Sequence, residues 1–196
     1  MTKERLEFFS DGVLAIVITI MVLELRVPHG EELASLRPLA PVFLSYVLSF
    51  LYVGIYWNNH HHLLHAARHV DGWILWTNLH LLFWLSLFPF ATHWLGETVF
   101  APWPLAVYGG VLLMAGTAYS LLVRALLARH GRGSVLAAAI GGDRKGYVSL
   151  VGYVLGIGLA AAGYRWFAFA VYCAVAAMWV IPDLRIVRAL EESEKA

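Results

Sequence analysis

The fold is decided by residues 5–25, which read RLEFFSDGVLAIVITIMVLEL. Between Asp11 and Glu24 this segment holds no charged residue. The apolar run, taken from residue 8 to residue 27, is about the 20 residues that an α-helix needs to cross the hydrocarbon core of a bilayer. The sequence therefore predicts a membrane-spanning first helix with a polar, charged entrance.

The composition of the whole chain indicates an integral membrane protein. Of its 196 residues, 60% are hydrophobic and 14% are charged, and the mean hydropathy is +0.69. This is more apolar surface than a soluble domain of that length buries. The eight Trp residues are typical of side chains that lie at headgroup depth. The single cysteine, Cys173, excludes a disulfide within the chain and a metal site built from several cysteines.

Apolar runs recur along the chain and predict one all-α domain over residues 1–196, a bundle of six transmembrane helices. Prolines stand near the ends of most runs, where they disturb a helix least. Pro89 is the exception, and we expect it to kink the third span. The predicted spans are approximately 8–27, 39–58, 73–95, 103–127, 147–164 and 166–182.

The distribution of Lys and Arg predicts the orientation of the bundle. With six spans and both termini in the cytoplasm, only Arg26, Arg37 and Arg165 of the 14 Lys and Arg residues lie outside, which leaves eleven inside. Cytoplasmic loops of membrane proteins carry such an excess of positive charge. We therefore expect a multi-pass protein of the cell membrane. The basic stretch 124–145 is expected to contact anionic lipid, and nucleic-acid binding is not expected.

The pattern Arg5-x-x-x-Phe9-Ser10-Asp11, with the apolar helix that follows it, resembles the opening helix of the transmembrane protein 175 family of potassium channels. The match is strongest over residues 5–25. A six-span layout with second and third spans rich in His and Trp agrees with the single-repeat bacterial form of the family. The resemblance implies a homotetramer in which four first helices surround one pore. It further implies passive K+ conduction without a cofactor and without enzymatic activity.

Helical geometry gives an independent view of the first helix. At about 100° per residue, Ser10 and Asp11 point about 120° and 140° away from Ile16, toward the rest of the protomer. A stripe of side chains lies within about 40° of Ile16 instead. Its members are Phe9, Gly12, Ile16, Ile20, Leu23 and Val27.

The resemblance and these two faces together suggest two roles. By resemblance, the pore constriction would comprise Ile16, Ile20 and Leu23, with Thr19 offering a hydroxyl or carbonyl to a passing ion. The motif residues Arg5, Phe9, Ser10 and Asp11 would fasten the helix to its own subunit. Indole, imidazole and amide groups at the same depth are candidate partners, because they can donate hydrogen bonds to Asp11 without water. These partners are Trp57, Asn58, His60, Trp73, Asn78 and His80.

Two other functions remain open from the sequence. Asp11, His60 and His80 could form a proton-coupled transporter or a proton leak pathway, because ionisable groups within membranes often form relays. The run of histidines at 60–62, with His65, has ligand spacing for a metal or a membrane enzyme. We nevertheless predict no metal site, because these side chains leave the membrane and have other partners there. A modest selectivity for K+ is expected, because a hydrophobic narrowing favours the ion that loses water more readily.

Two smaller features complete the prediction. Gly152-x-x-x-Gly156 matches the small-residue pattern that lets helices approach closely, and we expect it to pack inside the bundle. The charged residues at the outer mouth either enrich cations there through their electric field or are solvated loop charges. They are Glu24, Arg26, Glu31 and Glu32.

Overall fold

The computed structural model describes residues 2–67, 69–131 and 144–180, and within these ranges the chain is helical without a strand. The all-α class is confirmed for these residues. The helices are α1 (Lys3–Leu23), α2 (Ala40–His65), α3 (Gly72–Ser86), α4 (Phe88–Glu97), α5 (Pro102–His130), α6 (Arg144–Ala161) and α7 (Arg165–Val180), with a 3-10 helix at Leu33–Leu39.

Four helical stretches among the described residues are long and apolar enough to cross a membrane. They are α1, the 3-10 helix continued by α2, α3 continued by α4, and α5. The helix α7 is apolar but has only 16 residues. The chain is therefore a membrane protein whose described part contains about four apolar helices of spanning length.

Local sequence fixes where several helices begin and end. The hydroxyl of Thr2 accepts a hydrogen bond from the backbone N–H of Arg5 at 3.4 Å, and the Asp71 carboxylate accepts one from the N–H of Ile74 at 3.0 Å. These side chains satisfy N–H groups that have no partner inside the helix. At the end of α5, Gly131 adopts a φ of +82°, a conformation that glycine enters without a steric penalty.

The kink expected at Pro89 is confirmed as a break between two helices. Pro89 has no N–H to donate to the carbonyl of Leu85, four residues earlier. The helix α3 ends at Ser86, and α4 begins at Phe88. The third hydrophobic stretch is therefore built from two consecutive helices.

The first helix is shorter than its apolar run. It ends at Leu23, with Glu24 as its C-cap, although the run continues to residue 27. Pro28 disfavours a helical backbone at the preceding residue, Val27. The helical direction calculated for Val27 therefore does not apply, and Val27 does not belong to the stripe.

The helices pack around α5, which contacts α3, α4, α6 and α7, while α1 lies at the edge against α2, α3 and α4. The predicted role of the Gly152 and Gly156 pair is confirmed. A Cβ atom at Gly156 would overlap the Tyr172 ring of α7, and one at Gly152 would lie 2.9 Å from the Val175 side chain. This small-residue face is used for packing within the protomer.

Several expectations fall outside the described residues. These are the end of the sixth span at 181–182, the part of the basic stretch at 132–143, and the basic residues Arg68, Arg132, Arg185, Arg188 and Lys195.

Candidate ion pathway along the first helix

The helix α1 has two faces of opposite character. Its buried face consists of Leu6, Ser10, Leu14, Val17 and Met21, which follow one another at intervals of three or four residues. This spacing keeps them on one side of the helix. That side packs against α2, α3 and α4.

The opposite face of α1 is apolar yet exposed. The side chains of Ile16, Ile20 and Leu23 are 58%, 41% and 80% exposed in the protomer, and Phe9 is exposed next to them. A Cβ atom at Gly12 would meet no other atom within 4 Å, so the space beside this glycine is open. The stripe of Phe9, Gly12, Ile16, Ile20 and Leu23 is therefore available to lipid or to other subunits.

Thr19 lies beside this stripe and is exposed. Its hydroxyl donates a hydrogen bond of 2.9 Å to the carbonyl of Ile16. A hydroxyl has one donor and two acceptor lone pairs, so the oxygen of Thr19 retains acceptor capacity. Thr19 is the neighbour of Ile20 in the sequence, so this oxygen is a polar atom beside the apolar stripe.

Ser10 anchors the buried face of α1 through a chain of hydrogen bonds. The amide nitrogen of Asn78 on α3 donates to the Ser10 hydroxyl at 3.0 Å, and that hydroxyl donates to the carbonyl of Leu6 at 2.9 Å. The amide oxygen of Asn78 lies 2.7 Å from Nε2 of His60 on α2. Because this oxygen only accepts, Nε2 of His60 is the donor. All three polar side chains are buried, and the chain joins three helices.

Asp11 forms a separate contact closer to the protein surface. Its carboxylate accepts a hydrogen bond of 3.1 Å from the indole nitrogen of Trp57 on α2. The Trp57 ring stacks on His61, which in turn stacks on His65. The contact therefore ties the motif to the end of α2 where the histidines lie.

The other predicted partners lie elsewhere. His80 accepts a hydrogen bond of 2.9 Å from the indole nitrogen of Trp84 on its own helix. Asn58 and Trp73 are exposed, and the described hydrogen bonds do not join either of them to the motif. Arg5 is also exposed, in the first turn of α1. The structure thus brings Trp57, His60 and Asn78 to the motif and leaves Asn58, Trp73 and His80 apart from it.

Three further contacts of α1 were missed from the sequence. The amine of Lys3 donates to the carbonyl of His65 at 3.0 Å. Toward the other end, Met21 packs beside Thr92 of α4, whose hydroxyl donates to Ser49 of α2 at 2.7 Å. At the C-terminal end, Glu24 contacts His93 of α4. From the sequence, these pairs could be recognised only by their similar depth in the membrane. Depth does not tell which helices are neighbours.

The histidines at 60–62 and 65 lie along the last turns of α2. Within the described residues, no three His, Cys, Asp or Glu side chains are placed to hold a metal ion. His60 is engaged with Asn78, while His61 takes part in ring stacking. The arrangement suits packing at the end of α2.

A cavity inside the protomer does not extend along α1. It measures about 40 Å³ and is lined by residues of α2, α5, α6 and α7, among them Tyr52, Tyr56, Tyr153 and Trp179. A volume of this size is comparable with that of one water molecule, whose share of the liquid is about 30 Å³. The exposed face of α1 is the better candidate for an ion pathway.

Comparison with known proteins identifies the family of this chain. A family model described as "Endosomal/lysosomal potassium channel TMEM175" matches residues 5–89. A protein of Chryseobacterium sp. strain P1-3 named as a potassium channel is 54% identical over 193 residues, which are 98% of this chain and 100% of that protein. The chain belongs to the TMEM175 family. This family is one of ion channels, not of enzymes.

Two other relatives of this TMEM175 chain are a bacterial channel of known structure and a human protein. A crystal structure described as that of a lysosomal potassium-selective channel TMEM175 homologue from Chamaesiphon minutus has a TM-score of 0.79 and 27% identity, and the match covers 91% of this chain and 96% of that one. The human protein named endosomal/lysosomal proton channel TMEM175 is 38% identical over 96 residues, 42% of this chain and 19% of its own length.

Proposed function

We propose that this protein is a passive, potassium-permeable channel in which the exposed stripe of α1 lines the pore. A potassium-channel function is supported by the names of its relatives. The observation that carries the assignment of the pore is the exposure of Ile16, Ile20 and Leu23 on a helix whose opposite face is fastened by buried hydrogen bonds.

A pore along this face requires more than one subunit. The stripe is on the outside of the protomer, so a closed pathway forms only when several copies turn it toward a common axis. Homo-oligomers of soluble proteins generally have closed symmetry, and a membrane pore needs the same closure. We propose a homotetramer with one pore on the fourfold axis, as the resemblance to the family implies.

The proposed topology is six spans with both termini in the cytoplasm of the cell that makes the protein. The described helices of spanning length account for part of this count. The helices α6 and α7, with 18 and 16 residues, would provide the fifth and sixth spans. The excess of Lys and Arg on the proposed inner side supports this orientation.

The proposed mechanism is dehydration at an apolar constriction. An ion that passes Ile16, Ile20 and Leu23 would lose part of its water shell, and these three side chains offer it no oxygen ligand in return. Potassium holds its water less tightly than sodium and therefore passes at a lower free-energy cost. The Thr19 oxygen can offset part of that cost. We expect a modest preference for K+ without a cofactor.

A proton pathway is the second candidate, because the human relative is named a proton channel. The buried chain of His60, Asn78 and Ser10 would be its route. However, the amide of Asn78 stands between the imidazole and the hydroxyl, and amides do not readily accept and release protons. The chain therefore serves better as a lock between helices than as a relay.

The experiment is electrical recording of purified protein in planar bilayers. With equal pH on both sides and a K+ gradient, we expect a current that reverses near the K+ equilibrium potential. Replacing Ile16 by Asn should increase the current and lower the K+/Na+ permeability ratio, because an amide stabilises hydrated ions in the narrowing.

Val22→Asn is the matched control. Val22 is exposed like Ile16, but it points about 120° away from Ile16. The Val22→Asn substitution should leave the current and the K+/Na+ permeability ratio unchanged. Equal effects of the two substitutions would refute the assignment of the pore face, and a current that needs a proton gradient would favour the second candidate.

A further inference from the structure

Glu24 and His93 lie in contact at the C-terminal end of α1. Oε2 of Glu24, the C-cap of α1, lies 3.3 Å from Nδ1 of His93 on α4. Among the described residues, one other pair of basic and acidic side chains lies this close, Arg129 and Asp71. The contact of Glu24 with His93 therefore joins the first helix to a neighbouring helix.

One ring nitrogen of His93 has no hydrogen-bond partner at this contact. Its Nδ1 atom is buried and makes no hydrogen bond within the described residues. The carboxylate is close, but the ring does not aim Nδ1 along a hydrogen-bond direction. Coulombic attraction needs no such alignment. The contact thus places a carboxylate beside a buried imidazole nitrogen that has no hydrogen-bond partner.

The surroundings of the pair give protons access to it. Glu24 and His93 border an open cavity of about 630 Å³ together with Pro89, Phe90, Trp94 and Glu97. Glu97, on the same helix as His93, is the other charged group that faces this cavity.

The helices α2 and α5 meet the buried face of α4 with uncharged groups. These are the hydroxyls of Ser45, Ser49 and Tyr108, which cluster around Thr92. Glu24 and Glu97 are the acidic groups that border the cavity with His93. The guanidinium of Arg165 lies beyond the end of α4, where it donates to the carbonyl of Val99 at 3.5 Å.

We propose that Glu24 and His93 form a proton-binding site at the outer mouth of the pore, and that proton binding there lowers K+ entry from that side. This inference rests on the proposed pore and orientation. When His93 is neutral, four Glu24 carboxylates surround the mouth and attract cations. When His93 is protonated, its charge cancels that of Glu24 and the attraction is lost.

This mechanism predicts the direction in which outer pH changes the K+ current and how salt weakens that change. Imidazoles generally change charge between about pH 5 and 8, so acid on the outer side should reduce the current and alkali should restore it. The attraction acts through solvent. It should therefore weaken as the Debye length falls from about 10 Å at 0.1 M salt to about 3 Å at 1 M.

The test is the K+ current of the reconstituted channel, with pH 8 or pH 5.5 on the outer side and pH 7.5 on the inner side. The current that persists when N-methyl-D-glucamine replaces K+ is subtracted. In 0.1 M KCl we expect about a threefold smaller K+ entry from the acidic side, a ratio that local enrichment of cations readily produces. In 1 M KCl the ratio should approach one.

Two variants assign the effect to the pair. His93→Gln should keep the high current at both pH values, and Glu24→Gln should keep the low current at both. Glu31→Gln removes an exposed carboxylate from the connection after α1, and it should retain the threefold ratio as the control. Because Glu24 and His93 are both partly exposed, we expect the variants to fold, and size-exclusion chromatography checks this.

Two results would overturn the inference. A wild-type K+ current that does not depend on outer pH would do so, as would a His93→Gln variant that still responds to acid. With either result the protein would still conduct K+, so the proposed function would stand. A complete absence of K+ current at pH 8 would instead count against the proposed function.

Discussion

The two faces of α1 are both largely apolar, but only the buried face carries a polar side chain that bonds to other helices. The buried face contains Ser10 and its bonds to Asn78 and His60, whereas the exposed face presents Ile16 and Leu23. In lipid, apolar contacts alone do not drive helices together, and polar groups inside the bundle specify which faces meet. The comparison teaches that the Ser10 anchor on the buried face fixes the rotation of α1 and thereby directs the exposed face.

The largest effect is expected from breaking the polar lock at its centre. Asn78→Ala leaves Nε2 of the buried His60 without its acceptor and the buried Ser10 hydroxyl without its donor, so that Ser10 keeps only its bond to the carbonyl of Leu6. Each such group costs about 1–3 kcal/mol, so we expect about 3 kcal/mol of lost stability and little folded channel. Thermal unfolding in detergent measures this change.

Asn58→Ala is the control for the polar lock, because Asn58 is exposed and has no described bond to the motif. It should unfold at the wild-type temperature. If Asn78→Ala unfolded there too, the buried chain would not hold α1, and the assignment of its two faces would lose its physical basis.

A smaller effect is expected at the second polar contact. Trp57→Phe removes the donor to Asp11 but keeps most of the ring that packs on His61. Interhelical hydrogen bonds in membranes average about 0.6 kcal/mol, and we expect a destabilisation of that order. The same unfolding assay measures it, with Trp73→Phe as the control because Trp73 is exposed. A loss as large as that of Asn78→Ala would show that Asp11, and not Ser10, is the main fastening.

The smallest effect is expected beside the exposed face. Thr19→Val keeps the shape of the side chain and removes the hydroxyl. We expect unchanged stability and about a twofold lower K+/Na+ permeability ratio, which corresponds to about 0.4 kcal/mol. Reversal potentials in mixed K+ and Na+ solutions measure this ratio. An unchanged ratio would remove the Thr19 oxygen from the ion's path.

Sequence reasoning predicted the family and the two faces of α1, because both depend on local pattern. Ser10 points into the protomer by helical periodicity alone, and Asn78 and His60 were recognised as polar groups at its depth. The choice among partners was not predictable, because it depends on how helices cross. His80 illustrates this, since it pairs with Trp84 one turn along its own helix. The contact of Glu24 with His93 escaped prediction for the same reason.

The ends of the helices were also only partly predictable from the sequence. Pro89 marked the break between α3 and α4, because a missing N–H acts locally. The early end of α1 at Leu23 was not recognised, because hydropathy continues beyond the last helical residue. The angle calculated for Val27 assumed that the helix continues to this residue. Val27 was therefore wrongly assigned to the stripe.

The most direct test of the central claim is the structure of the assembled channel in a lipid environment, determined by cryo-electron microscopy. The account predicts a fourfold axis surrounded by four copies of α1, with Ile16, Ile20 and Leu23 at the narrowest part of the pore and Ser10 turned into its own subunit. An axis lined by another helix, or one to which α1 presents the Ser10 face, would contradict it.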